Sequence, residues 1–126
     1  MATLPQGGTV LVVDDEEVVR HVAGLLLESA GYRVLTAGNA DEARVLAASA
    51  DELDAVLLDV MLPGEGSGAV AADLRRIRPG VPIVVSSGYD EVTVSERVGE
   101  LADVQFLRKP YAADDLMAAL AAAIAA

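Results

Sequence analysis

The chain has 126 residues, a formal net charge of −11 and no cysteine. That length fits one domain around one core. The missing thiols exclude disulfides and thiolate metal sites, and the acidity argues against direct binding of nucleic acid phosphates or anionic membranes.

Hydrophobic residues make up 53% and aromatics only 3%, so the core must be built from Val, Leu, Ile and Ala. No stretch approaches the ~20 continuous apolar residues of a membrane span. Residues 1–8 lack the basic and apolar regions of a signal peptide. A cytoplasmic protein without a membrane partner is therefore expected.

Residues 10–13 form a short β-rich apolar run that ends in Asp14-Asp15. Residues 16–30 read as a helix, with Val18, Val22, Leu25, Leu26 and Ser29 on one face and Gly31 as its stop. Residues 33–37 form a weaker strand, and Asn39 can cap a helix over 40–50. The third strand, 54–59, ends in Asp59. Residues 62–68 form a loop, followed by a third helix over 69–78 that stops at Pro79-Gly80. Arg75, Arg76 and Arg78 read as its solvated end. The fourth strand, 82–87, ends in Ser86-Ser87-Gly88. Residues 90–101 predict a fourth helix, but Val92, Thr93, Val94 and Gly99 make it a poor one, expected to be short or mobile. Residues 104–108 form the fifth strand and lead into Lys109, the only lysine, and Pro110. An Ala-rich fifth helix over 112–126 carries Asp114 and Asp115 in its first turn, where the helix dipole favours them.

The pattern is βα five times, without linker or repeat. Strands one, three and four are continuous apolar runs, the mark of strands buried on both faces and so of a parallel sheet covered by helices. The fold class expected is α/β, a flavodoxin-like (βα)5 doubly wound sheet of order 2-1-3-4-5. It forms a single domain over residues 1–126 with no output domain after the fifth helix. Ligands of such sheets bind beyond the carboxyl ends of the strands, near the switch between strands one and three. Asp14, Asp15 and Asp59 fall there.

Neighbouring strands lie about 4.8 Å apart, so these three carboxylates crowd and repel unless neutralised. A divalent cation removes the difficulty, and a few carboxylates with a carbonyl and waters suit Mg²⁺. Asp14-Asp15 also reads as a helix cap. That reading leaves Asp59 unexplained, since an acid among apolar residues rarely serves packing. Lys109 lies two strands from Asp59, roughly 10 Å between backbones, and an extended side chain spans much of that gap. It offers a mobile charge to a phosphoryl oxygen or to Asp59. Ser87, on the strand between them, can donate to the same group. Ser86 is the rival donor, because side chains alternate along a strand. His21 has no catalytic partner nearby and reads as a helix-flank residue. Gly7-Gly8 precedes the first strand and is not a phosphate loop. The Gly64–Gly68 stretch matches no nucleotide fingerprint.

These residues together resemble the receiver domain of bacterial two-component response regulators. The resemblance runs from about Thr9 to Ile124. Four motifs carry it in order and spacing: Leu11-Val12-Val13-Asp14-Asp15, Leu57-Leu58-Asp59-Val60-Met61-Leu62-Pro63-Gly64, Val85-Ser86-Ser87-Gly88-Tyr89, and Phe106-Leu107-Arg108-Lys109-Pro110. The resemblance implies that Asp59 is the phosphoacceptor and that Asp14, Asp15, Asp59 and the Met61 carbonyl hold Mg²⁺. It implies Ser87 as the switch hydroxyl, since the small Gly88 follows it, Lys109 as the site lysine and Phe106 as the aromatic switch. Met61 and Tyr89 match positions that tune phosphoryl lifetime.

The implied partners are a histidine kinase or histidine phosphotransfer protein as donor and a downstream protein target. The implied output is a shift of the surface formed by the fourth helix, fifth strand and fifth helix. Phe106 lacks the hydroxyl of the commoner tyrosine. The loop after Pro63 looks one residue longer than in most regulators, similar to receivers of hybrid histidine kinases.

Three other functions compete with this one. A flavin electron carrier conflicts with the acidic loop after strand one. A phosphate-ester hydrolase conflicts with Met61, where a second acid is expected. A pseudo-receiver working without phosphorylation is the alternative, opposed by the complete set Asp14, Asp15, Asp59, Ser87 and Lys109.

Overall fold

The structure, a computed structural model, describes residues 8–64, 66–88 and 104–125. The expected fourth helix and Tyr89 lie outside the described residues. Chain order is β1 (Thr9–Val13), α1 (Glu17–Ser29), β2 (Arg33–Ala37), α2 (Ala40–Ser49), β3 (Ala55–Asp59), α3 (Ser67–Ile77), β4 (Ile83–Ser87), β5 (Val104–Arg108) and a C-terminal helix, α4 (Ala113–Ala125).

The five strands form one parallel sheet of order β2-β1-β3-β4-β5. Alternation along each strand sorts its side chains onto two cores. Leu11, Val13, Val56, Leu58, Ile83 and Val85 face α2 and α3, where Ala43, Ala47, Val70 and Leu74 meet them. Val10, Val12, Leu57, Val84 and Leu107 face α1 and α4, against Leu27, Leu116 and Leu120. β1, β3 and β4 are buried along their whole length. β2 stands at the edge and is buried only at Ala37.

Local signals set the helix ends. At the end of α1, Gly31 takes φ +95°, its N–H donates to the Glu28 carbonyl, and the Tyr32 N–H donates to the Leu27 carbonyl. This pair of bonds around a left-handed glycine is a Schellman stop. Asn39 accepts from the Glu42 N–H at 2.9 Å, while Glu42 accepts from the Gly38 N–H at 2.8 Å. The start of α2 is thus bonded in both directions. Asp115 accepts from the Ala112 N–H at 3.0 Å and fixes the start of α4.

Two expectations are corrected. Of the α1 face with Val18, Val22, Leu25, Leu26 and Ser29, Leu26 packs against the core, whereas Val18, Val22 and Leu25 are 74%, 48% and 50% exposed. Ala23, Gly24 and Leu27 are buried instead. At Gly24 the helix lies close to β2: a Cβ there would stand 3.6 Å from Val34 Cγ1, in ordinary contact, and leave little room for a longer side chain at that position. Arg78 is likewise no solvated helix end. Its Nε donates to the Ala47 carbonyl at 2.8 Å and its Nη2 to the Ala50 carbonyl, so it closes the end of α2.

Candidate functional site

Asp14, Asp59 and Lys109 stand at the carboxyl edges of β1, β3 and β5. All three continue the alternation that sends Val12, Leu57 and Leu107 toward α1 and α4. The strand ladders run on to place them. The Asp14 N–H donates to the Ala37 carbonyl at 3.1 Å, and the Lys109 N–H to the Ser87 carbonyl at 2.8 Å.

The acids meet as the spacing predicts. One carboxylate oxygen from each of Asp14, Asp15 and Asp59 lies within 4.8 Å of the others. Asp14 and Asp59 are buried, at 3% and 4% exposure, whereas Asp15 faces solvent. Lys109 closes the gap to both buried acids, with Nζ 3.0 Å from Asp14 Oδ2 and 3.4 Å from Asp59 Oδ1. The capping reading of Asp14 does not hold: the N-cap of α1 is Glu16, without a side-chain cap bond, and Asp14 Oδ1 accepts from the Glu16 N–H at 2.9 Å in a local turn before the helix. The Met61 N–H donates to Asp59 Oδ1 at 3.0 Å. Both bonds to Asp59 go to Oδ1, and among the described residues none goes to Oδ2.

Burial raises the Asp59 carboxyl above its ordinary 3.8, and the Asp14 charge adds to this. The Met61 N–H and Lys109 pull the other way and do not prevail. Burial alone would lower the Lys109 ammonium, but Asp14 and Asp59 together hold it above 10.5. The donor set, hard oxygens crowded and short of positive charge, fits a divalent cation. The three acids therefore suit such an ion where a thiolate or imidazole site would not.

The other expected residues are placed as follows. Ser86 is the register partner of Asp59, and Ser87 is that of Arg108, one step nearer the edge. Both are buried. Phe106 is half-buried against the core facing α2 and α3. His21 is exposed on α1. Ser67, placed in a loop by the sequence, opens α3 and donates from its buried hydroxyl to the Val60 carbonyl at 2.9 Å, tying that helix to the residue after Asp59.

Two residues escaped the sequence reading. Arg20 Nη1 donates to the Asp14 carbonyl at 2.7 Å. Tyr111, with Pro110 and Lys109, faces Val18, Val19 and Val22 across an apolar groove beside the acids. Burial raises its phenol above 10.0. The position of Tyr111 just after Lys109-Pro110 was the available signal. Arg20 had none beyond lying six residues after Asp14.

A five-stranded parallel sheet of this order, with clustered acids and a lysine at its carboxyl edge, defines the class of two-component receivers. The chain belongs to the response regulator receiver domain family, whose pattern it matches over residues 10–121. It is 41% identical over 116 residues to the response regulator MprA of Mycolicibacterium vanbaalenii, covering 90% of this chain and 48% of that one.

Among solved structures it resembles a Burkholderia pseudomallei response regulator with a phosphorylated aspartic acid and a calcium ion, at TM-score 0.79 and 31% identity, covering 90% of this chain and 66% of that one. It also resembles the receiver domain of the Pseudomonas aeruginosa PAO1 sensor histidine kinase PA1611, with magnesium in its active-site cleft, at TM-score 0.81 and 25% identity, covering 95% and 99%. The chain spans about half or less of the length of the curated relatives it matches. It is a phosphoacceptor signalling domain of two-component phosphorelays.

Proposed function

We propose that Asp59 is the phosphoacceptor and that Oδ2 is the attacking atom. Oδ1 is held by the Met61 N–H and faces Lys109, which leaves the Oδ2 lone pairs for phosphorus. The donor is a phosphohistidine on a histidine kinase or histidine phosphotransfer protein. A P–O bond forms to Asp59 while the P–N bond breaks, and its electron pair returns to the imidazole nitrogen. The same carboxylate accepts from small phosphodonors, so phosphorylation is catalysed by this chain's own residues.

Mg²⁺ is the cation the site would hold, through Asp14, Asp15, Asp59 and the Met61 carbonyl. When bound it supplies positive charge to the transferring phosphoryl group. Lys109, now paired with Asp14 and Asp59, would pair with a phosphoryl oxygen in exchange for Asp59. Ser87, one residue nearer the edge than Asp59's register partner, supplies the hydroxyl that follows the phosphoryl group. Phe106, half-buried against the core, would turn inward behind it. The shift reaches β5 and the helix after it, the surface read by a downstream protein.

The donor docks on the groove of Val18, Val19, Val22, Pro110 and Tyr111. This groove is apolar and borders Lys109, so a protein seated there brings its phosphohistidine to the acids. Such a donor places the chain in the cytoplasm.

The observation that carries this reading is three carboxylates within 4.8 Å with one ammonium at 3.0 and 3.4 Å. The test is incubation with a small-molecule phosphodonor and Mg²⁺, read by intact mass. One acid-stable, base-labile phosphoryl adduct is expected, absent without metal and in Asp59→Asn. Persistence of the adduct in that variant would overturn the assignment. No adduct from small donors or from phosphorylated histidine kinases, with the fold intact, would favour the pseudo-receiver.

A further inference from the structure

We propose that Arg20 is a positioning residue for the acidic site, holding the peptide that aims Asp15. This rests on the receiver reading above. Each polar group of Asp14 has a partner. Its N–H donates to the Ala37 carbonyl, Oδ1 accepts from Glu16, Oδ2 accepts from Lys109, and its carbonyl accepts from Arg20 Nη1 at 2.7 Å. The last bond differs in kind. The Asp14 carbonyl lies in the same rigid plane as the Asp15 N–H, so holding it limits where the Asp15 side chain can start. Asp15 is exposed, and no hydrogen bond fixes its own carboxylate among the described residues. Arg20 therefore reaches the third acid through the backbone.

A second observation points the same way. A Cβ on Gly38 would stand 3.1 Å from Arg20 Nη1 and 3.4 Å from Glu42 Oε1. Gly38 is not among the glycines with positive φ, so its backbone does not demand glycine. Its missing side chain leaves the space that the guanidinium fills. Gly38 is also bonded to Glu42, so the β2–α2 turn forms a fixed wall behind Arg20. Arg20 is thus wedged between that turn and the loop that carries Asp14 and Asp15.

The proposal separates from a charge effect by sign. A cation near an acidic site repels Mg²⁺, so if only its charge mattered, removing it would tighten Mg²⁺ binding. If it positions Asp15, removing it weakens binding, roughly tenfold by comparison with other residues that orient metal ligands. The experiment is calorimetric titration of the full chain with Mg²⁺, for wild type, Arg20→Met, Gly38→Ala and the double variant, with melting curves alongside. Met keeps the apolar stem and removes the donor. Gly38→Ala leaves the charge and displaces the guanidinium.

Both single variants are expected to weaken Mg²⁺ binding, with Arg20→Met the larger effect. The double variant should be no weaker than Arg20→Met, because both act through one contact. Unchanged or tighter binding by Arg20→Met would overturn the proposal. So would a lowered melting temperature with Mg²⁺ affinity untouched, the mark of a merely structural bond. Should Arg20→Met fail to fold, wild-type affinity in Gly38→Ala would overturn it. Wild-type protein that binds no Mg²⁺ would sink the receiver reading itself.

Discussion

Replacing the phosphoacceptor by its neutral isostere, Asp59→Asn, should stabilise the metal-free protein. Asp59 has a carboxylate oxygen within 4.8 Å of its counterpart on Asp14. Two unit charges at that separation repel by about 3.5 kcal/mol at an effective dielectric constant of about 20. Lys109 at 3.4 Å attracts by about 5 kcal/mol on the same scale. Together they leave a net attraction of only about 1.5 kcal/mol. The repulsion from Asp15, screened by solvent, and the desolvation of a carboxylate at 4% exposure then decide the sign, and both are unfavourable. Asn keeps the shape and an oxygen for the Met61 N–H, and Lys109 keeps Asp14. A gain of about 1–2 kcal/mol is expected, a rise of about 4–8 °C in melting temperature for a domain of this size.

Metal should change the order. Wild type gains about 2.7 kcal/mol at a Mg²⁺ concentration 100 times its Kd, whereas the variant lacks one ligand and gains less. The two melting curves should approach or cross as Mg²⁺ is added. Proton binding gives a second check. The folded Asp59 carboxyl lies above 3.8, through burial first and then Asp14. Between the unfolded and folded values the native state binds more protons, so stability falls as pH rises through that window. The penalty is complete above the folded value and is relieved on acidification toward 3.8. The advantage of Asp59→Asn should shrink in parallel. A lower melting temperature for the variant in chelator at pH 7, or an advantage indifferent to pH, would refute this electrostatic account.

Lys109→Met should cost about 2–3 kcal/mol at neutral pH in urea unfolding, because it strands two buried acids. The raised Lys109 pKa puts this contribution fully in place below 10.5 and removes it as pH climbs beyond the folded value. The wild-type advantage should therefore fade in strong alkali. Ser67→Ala removes the donor from the Val60 carbonyl and should cost about 1–2 kcal/mol by the same assay. Val22→Glu, in the exposed groove, should leave small-donor phosphorylation intact while slowing transfer from a phosphohistidine protein by roughly tenfold or more, the effect of losing one interface anchor. Equal slowing with both donors would place the effect at the chemistry instead.

Much of this was legible because strands buried on both faces have little sequence freedom. The runs through Val13, Leu58 and Val85 could be only central parallel strands, and the polar residues ending them had to share an edge. Asp59 and Lys109 stood out for the same reason, as charges abutting apolar runs. The face of α1 was not legible. Hydrophobicity grouped Val18, Val22 and Leu25 with Leu26 on one face, yet of these four Leu26 packs against the core and the other three face outward. Ala23 and Gly24 let the helix lie down on Val34, Leu27 fills the core beside them, and Val18, Val22 and Leu25 turn outward.

The exposed stripe and the buried acids come from one packing choice. Had α1 met the sheet through Val18 and Val22, it would stand farther off and the groove beside Lys109 would be filled. With the small residues inward, the helix sits low enough for Arg20 to reach the Asp14 carbonyl at 2.7 Å, and Val18 remains 74% exposed. The same seating thus offers the apolar surface for a partner and fixes the loop that carries two of the three acids. Enlarging Gly24 should disturb both at once. With a Cβ only 3.6 Å from Val34 Cγ1, Gly24→Ala is tolerable, whereas Gly24→Val must lift the helix. The expected result is a protein that still folds and has lost both Mg²⁺ affinity and transfer from a phosphohistidine donor. Loss of one without the other would show that the two are not coupled through α1.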